Sequence, residues 1–316
     1  MMGYMGKRFK RENAGDLLFR VLALLFGLSI LAITFGIIFE LWINTSLSRE
    51  KFGLGFLWST DFNINKGEIG ALTVIYGTVV TAVIAIILSG LVGIGIAAFL
   101  VEIAPRRVNR VVGFLVELLA AIPSIVYGFW GIFALAPWLG EHVVPAIKSA
   151  LGWLPIFAGP YVNASVFTAS IVLAIMILPT VAAISRDVIE AVPDSQREGM
   201  LALGATRWEM FSRAVLPYAK NGVLGALILG MGRAAGETMA VTLIIGNNTQ
   251  LFTSLFQQGA TMASVIANDF GEAHGLFLSA LLEIGLILFA ITFLINVGAR
   301  LLVWVFFRDP RGGVRV

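Results

Sequence analysis

Arg233 and Glu237 stand four residues apart in GRAAGETMAV, inside a run of apolar residues where charge is costly. An arginine at the centre of a bilayer-spanning helix costs about 2.5–3.5 kcal/mol on insertion scales, so it normally faces a bundle interior or a watery cavity. Its guanidinium stays charged at any physiological pH and offers a planar fork that suits a tetrahedral oxyanion. On a continuous helix the spacing sets Glu237 on the same face one turn later, where the two charges partly neutralise each other. One reading is a closed ion pair that staples helices, although desolvation can cancel the attraction of such a pair. The other is an anion relay. Glu237 would hold Arg233 while the path is empty, yield as an anion passes, and keep binding weak enough for release. Thr238, next in the string, joins Arg233 and Glu237 as a candidate pathway residue. Glu117 and Glu283 are the other acids within apolar segments. Snorkelling or a polar partner accounts for each as well as a pathway role does.

Other chemistries lack their residues. The chain has no cysteine, which removes disulfides, thiolate nucleophiles and Cys-bound metals. Its two histidines, His142 and His274, are far apart in sequence, so no metal site is expected. No GxxxxGK[ST] loop is present to cradle a nucleotide phosphate, so the chain is not expected to hydrolyse ATP. GxGxxA strings at Gly93, Gly95, Ala98 and at Gly230, Gly232, Ala235 lie inside apolar spans rather than after a strand, which removes them as dinucleotide sites. No nucleophile elbow is present.

The elements that must position these residues are membrane helices. The chain is 58% hydrophobic and 13% charged over 316 residues, against about 25% charged in average globular proteins. Six apolar segments, near 17–43, 70–103, 111–136, 164–185, 218–246 and 274–305, each exceed the roughly 20 residues a bilayer requires. The first follows Lys7-Arg8-Phe9-Lys10-Arg11 and is too long for a signal-peptide core, so it reads as an uncleaved anchor. With the N-terminus inside, 17 of the 22 Lys and Arg fall on the cytoplasmic side and 4 outside, leaving Arg233 within a span. The positive-inside rule then gives both termini cytoplasmic, and a cytoplasmic loop at 186–217. This charge placement explains the net charge of +3 without nucleic acid.

Within the third segment Pro123 predicts a kink, either an ordinary packing feature or a bend lining a conduction path. In the fifth, Gly222, Ala226, Gly230 and Ala234 form a small-residue stripe that lets another helix approach closely, and Gly232 and Gly236 form a second pair. The outer loops 44–69, 137–163 and 247–273 are long enough to contact a partner outside the membrane. Pro137, Pro145, Pro155 and Pro160 make the middle one irregular or built of short interfacial helices. No inverted pair of broken helices is evident.

The polar stretch EGMLALGATRWEMFSRAVLP, Glu198 to Pro217, resembles the cytoplasmic EAA loop of ABC-importer permeases: Glu-Ala-Ala, three residues, Gly, nine residues, Ile, any residue, Leu-Pro. Glu198, Gly204, Leu216 and Pro217 fall on that pattern, while Gly199 and Met200 replace the alanines and Ala214 the isoleucine. The resemblance implies a short helix carrying Glu198 and Gly204 that docks into a cleft on a separate ATPase subunit. Ala205, Thr206 and Pro217 belong to the same coupling set, and Gly204 serves a close contact or a turn. GRAAGETMAV with Gly246-Asn247-Asn248, the earlier AAIPSIVYGFWG and EGMLALGATRWE are together similar to the PstC-type permeases of bacterial phosphate ABC importers, from about residue 70 to 305.

That family implies an all-α, multi-pass bundle of type I importer fold in the bacterial inner membrane. It implies a heterodimer with a PstA-like permease, a PstB-like ATPase dimer and a periplasmic PstS-like phosphate-binding protein. ATP and Mg would be bound by the ATPase, with no cofactor on this chain. It also implies that Arg233 and Glu237 matter for phosphate passage, with Ser124, Tyr127, Glu117 and Asn247 as secondary pathway positions. The expected organisation is a basic cytoplasmic N-terminus (1–16), a first helix with its outer loop (17–69), the permease domain (70–305) and a cytoplasmic tail (306–316). Charge and fork geometry alone do not separate phosphate from sulfate or molybdate. A stand-alone channel, secondary transporter or intramembrane enzyme fits less well beside a 20-residue coupling loop.

Overall fold

The computed structural model describes residues 14–63 and 66–306, so most of the expected cytoplasmic N-terminus (1–16) and tail (306–316) lies outside the described residues. Helix α1 (Ala14–Asn44) leads into a short α2 (Ser46–Phe52) and a two-residue antiparallel hairpin, β1 (Phe62–Asn63) with β2 (Glu68–Ile69). Helix α3 (Leu72–Ile103) is followed by α4 (Arg106–Ala121), α5 (Ser124–Leu151) and α6 (Val166–Glu190). Then come α7 (Asp194–Ala202), α8 (Arg207–Gly236), α9 (Met239–Ile244), α10 (Met262–Asp269) and α11 (Gly275–Phe306). Among the described residues α1, α3, α6, α8 and α11 are each long and apolar enough to cross a membrane, and α4 with α5 pass together as one bent pair.

The third expected span is therefore not a single rod. Pro123 pushes Ile122 into extended backbone (ψ 127°), and the chain turns by 92° between α4 and α5. The middle outer loop also departs from expectation, because α5 stays helical to Leu151 through Pro137 and Pro145. A proline inside a helix removes one N–H and clashes with the carbonyl four residues back. Here the residue before each proline donates one residue further back, Ala136 to Gly131 and Val144 to Leu139. Each wider π turn gives the ring room without ending the helix. Leu216 makes the same bond to Phe211 ahead of Pro217, so α8 runs unbroken from Arg207 instead of starting at the Leu-Pro pair.

Burial is concentrated on α6. Its residues Val166, Leu173, Met176, Ile177 and Val181 are almost wholly enclosed, surrounded by α3, α5, α8 and α9. The stripe on α8 packs against α6 as its small side chains predict. A Cβ on Gly222 would meet Val188 Cγ1 at 2.3 Å, and one on Gly230 would meet Val181 Cγ2 at 2.8 Å. A second core joins α2, α3, α10 and α11 around Phe56 and Leu281. Helix α1 is exposed along almost its whole length, as a span lying at the edge of the bundle. The segment 247–261 folds back on the start of α6, where Phe167 N–H donates to Leu255 O at 2.7 Å and Phe256 is buried among Phe157, Tyr161 and Phe167.

Candidate functional site

The fifth apolar segment breaks beside its charges. Helix α8 ends at Gly236, Glu237 is extended (φ −67°, ψ 127°), and α9 starts at Met239. Arg233 thus lies in the last turn of α8, where a cation is favoured by the helix dipole, and not midway along a continuous span. The expected one-turn pairing needs an unbroken helix, and no ion pair joins Arg233 to Glu237 among the described residues. Glu237 turns the other way, its Oε1 accepting the Ala240 N–H at 3.4 Å at the start of α9. Thr238 Oγ1 donates to Gly236 O at 3.2 Å, so its hydroxyl bridges the break. Arg233 is exposed, and its Nη1 donates to Thr180 Oγ1 on α6 at 3.3 Å. It also lines an open groove of about 560 Å³ with Gly232, Phe289, Thr292 and Asn296.

The α4–α5 bend lies against this break. Tyr127 Oη donates to Leu119 O at 2.8 Å, satisfying a carbonyl at the end of α4. Gly128 permits the approach: a Cβ there would stand 3.3 Å from the Ala240 Cα and 2.7 Å from Leu243 Cδ1. Ser124 is half-buried and opens α5. Two interrupted helices therefore pack together, α5 against α9, and Arg233 closes α8 on the near side of the break that holds Glu237 and Thr238. Non-helical backbone at membrane depth is tolerated only where protein encloses it or a watery cavity borders it. Asn247, just beyond α9, has left-handed φ (54°) and donates from Nδ2 to Thr242 O at 2.8 Å, so in this fold it caps the helix. Its Oδ1 is buried without a hydrogen-bond partner.

Glu117 is not part of this cluster. Its Oε1 lies 3.6 Å from Arg186 Nη2, joining α4 to α6. Glu283, on α11, is buried at 8% exposure beside Ser48, and its Oε2 has no hydrogen-bond partner. Thr180 was not anticipated from the sequence. The signal for it was a hydroxyl residue next to Pro179 within a strongly apolar helix.

The 186–217 segment forms a helix–turn–helix. Glu198 is exposed on α7, whereas Gly204 sits two residues past its end with φ +83°. Among the described residues no non-neighbouring atom lies within 4 Å of where a Gly204 Cβ would stand, so the left-handed turn, and not a close approach, requires the glycine. Thr206 starts α8 with a reciprocal capping box: Thr206 Oγ1 accepts the Glu209 N–H at 3.3 Å, and Glu209 Oε2 accepts the Thr206 N–H at 2.9 Å. T-x-x-E at 206–209 carried that signal. Ala205 N–H closes the turn onto Met200 O at 3.2 Å. Leu203 and Trp208, 84% and 73% exposed, give the outer side of this turn an apolar surface next to Glu198.

A family profile described as "Binding-protein-dependent transport system inner membrane component" matches residues 93–304. A phosphate transport system permease protein PstC from Pasteurella multocida is 44% identical over 292 residues, covering 91% of each chain. One from Haemophilus influenzae is 43% identical over 301 residues, covering 94% of this chain and 96% of its own. A PstC 2 from Mycobacterium tuberculosis is 41% identical over 295 residues, covering 90% and 91%. Among solved structures, that of a bacterial alginate ABC transporter in complex with alginate pentasaccharide-bound periplasmic protein aligns over 94% of this chain and 99% of its own. The TM-score is 0.62 at 14% identity, a likeness of fold. A chain of the inward-facing MetNI methionine ABC transporter aligns over 73% and 93%, with TM-score 0.54 and 14% identity.

Proposed function

We propose, from the premise that this chain belongs to the binding-protein-dependent transport system inner membrane components, that it forms half of a pathway carrying inorganic phosphate across the bacterial inner membrane. As a member of that family it is a multi-pass transport subunit of an ABC importer and not itself an enzyme. It works with other ABC components and a periplasmic binding protein. In this reading the second half of the pathway is a PstA-like permease, the motor a pair of PstB-like ATPases that bind ATP and Mg, and the outer donor a PstS-like phosphate-binding protein. The relatives named for phosphate transport support the cargo.

The observation that carries the mechanism is an exposed Arg233 in the last turn of a broken helix, bonded to Thr180 and beside the break whose far side, α9, packs on α5. Facing lipid, such a charge would be costly, so a second permease subunit is the expected cover for that face. With the pathway so closed, a phosphate leaving water would meet the guanidinium fork of Arg233, with the Thr180 hydroxyl beside it and Thr238 at the adjoining break. Glu237 caps α9 and does not neutralise Arg233, so the cation is free to receive an anion. The nearby carboxylate keeps that contact weak enough to reverse. Force would enter through the α7 turn, where Glu198 and the Leu203–Trp208 surface offer the ATPase an acidic and apolar contact. The charge bias of the sequence supports placing this turn and both termini in the cytoplasm.

Purification of the assembled complex and its reconstitution in liposomes tests the proposal. An ATPase subunit should copurify, and phosphate-loaded binding protein should stimulate hydrolysis and uptake. Sulfate and molybdate should not substitute. Stimulation by sulfate in place of phosphate would reject the cargo, and transport without any ATPase subunit would reject the class.

A further inference from the structure

We propose that Arg197 and Glu102 form a positioning pair that transmits movement of the coupling turn into α3. This rests on the functional reading above and adds a route for the force. Arg197 sits on α7, immediately before Glu198, and its side chain is 15% exposed. Adjacent residues on a helix point about 100° apart, so this guanidinium turns into the protein while Glu198 stays exposed. Its Nε donates to Glu102 Oε1 at 3.1 Å, its Nη2 to Ile189 O at 2.8 Å, and its Nη1 to Val192 O and, at 3.3 Å, to Asp194 Oδ1.

These acceptors belong to three elements. Ile189 and Val192 lie at the C-terminal end of α6, where carbonyls lack helical partners and a cation is favoured. Glu102 lies in the last turn of α3, and its side chain is only 10% exposed. Asp194 opens α7 and is 86% exposed. A separate core of Ala97, Ile189, Val192, Met210, Val215 and Ala219 packs beneath, tying α3, α6 and α8 together. Helix α7 itself buries no residue. Arg197 is thus the polar fastening between a surface helix and the ends of two spanning helices. A paired, nearly buried charge holds that geometry far better than an exposed one.

The test uses the full importer in liposomes, measuring complex yield, ATP hydrolysis and phosphate moved per ATP. Glu102→Gln keeps shape and an acceptor oxygen but removes the charge. It should leave the ATPase bound and hydrolysing while phosphate moved per ATP falls by about tenfold, within the usual range of coupling between sites. Glu102→Asp, which keeps the charge with a shorter reach, should fall between. Asp194→Asn neutralises the exposed partner and should match wild type. If Glu102→Gln fails to assemble, Glu102→Asp decides: an intermediate ratio supports the pair, and a wild-type ratio overturns it. A wild-type ratio in Glu102→Gln, or equal loss in Asp194→Asn, also overturns it. Wild-type complex that shows no phosphate-stimulated hydrolysis would instead overturn the functional reading on which the pair rests.

Discussion

Replacing Gly204 should separate two physical roles that a glycine in this turn can have. Its φ of +83° is a left-handed conformation, and among the described residues nothing beyond its chain neighbours lies within 4 Å of a Cβ built there. Gly204→Ala therefore meets no clash within the subunit and incurs only the left-handed cost, about 1–2 kcal/mol for an L-residue. If the ATPase requires this turn, that cost lowers the population competent to bind. Association should then weaken by about 5–30-fold. Asparagine visits left-handed φ more readily, so Gly204→Asn should lose no more than about threefold. Gly204→Asp should fall between on conformation, with added repulsion beside Glu198. The assay is the affinity of the purified permease pair for its ATPase, read alongside uptake. A loss that ranks Ala above Asn supports the turn. Equal and severe losses for both would refute this reasoning, because only a partner surface pressed against the Cα would reject every side chain alike.

Other expectations follow from the same geometry. Glu237→Gln should reduce uptake less than loss of the Arg233 charge, because Glu237 bonds to Ala240 and not to Arg233; uptake and complex yield measured together check this. Tyr127→Phe removes the shorter of two donors to the Leu119 carbonyl at the bend and leaves the Ile122 N–H at 3.4 Å, which should lower stability by about 0.5–1.5 kcal/mol, seen as a lower unfolding midpoint of the solubilised protein. A cysteine introduced at Ser195, in a chain that has none, should stay unlabelled by a membrane-impermeant reagent applied to intact cells. Labelling from outside would invert the orientation.

The spanning helices were readable from apolar length, since a bilayer sets the number of residues a helix needs. Helix α6 and the stripe on α8 were legible for that reason, and because small residues mark close packing. Pro123 announced a perturbation but not its size. A proline constrains the residue before it toward extended backbone, and whether a helix then kinks or turns through 92° depends on what packs around it. Pro137 and Pro145 show the reverse, since π turns absorbed them and left the helix intact. The break at Glu237 left no such mark. Gly236 and Thr238 are weak helix formers, but Gly222 and Gly230 stand inside the same α8 undisturbed. An i,i+4 charge pair was therefore the natural expectation, and tertiary packing of α9 against α5 overrode it. Thr180 and the Arg197–Glu102 contact join residues 53 and 95 positions apart, a relation that local spacing does not encode.

If Arg233, at the end of the broken α8, receives the anion, substitution of this one residue stops transport without stopping assembly. In the reconstituted importer, Arg233→Gln should assemble with normal yield and abolish phosphate uptake. Arg233→Lys should recover little, since an ammonium keeps the charge but lacks the bidentate fork. Full uptake in Arg233→Gln would show that the anion passes without this guanidinium.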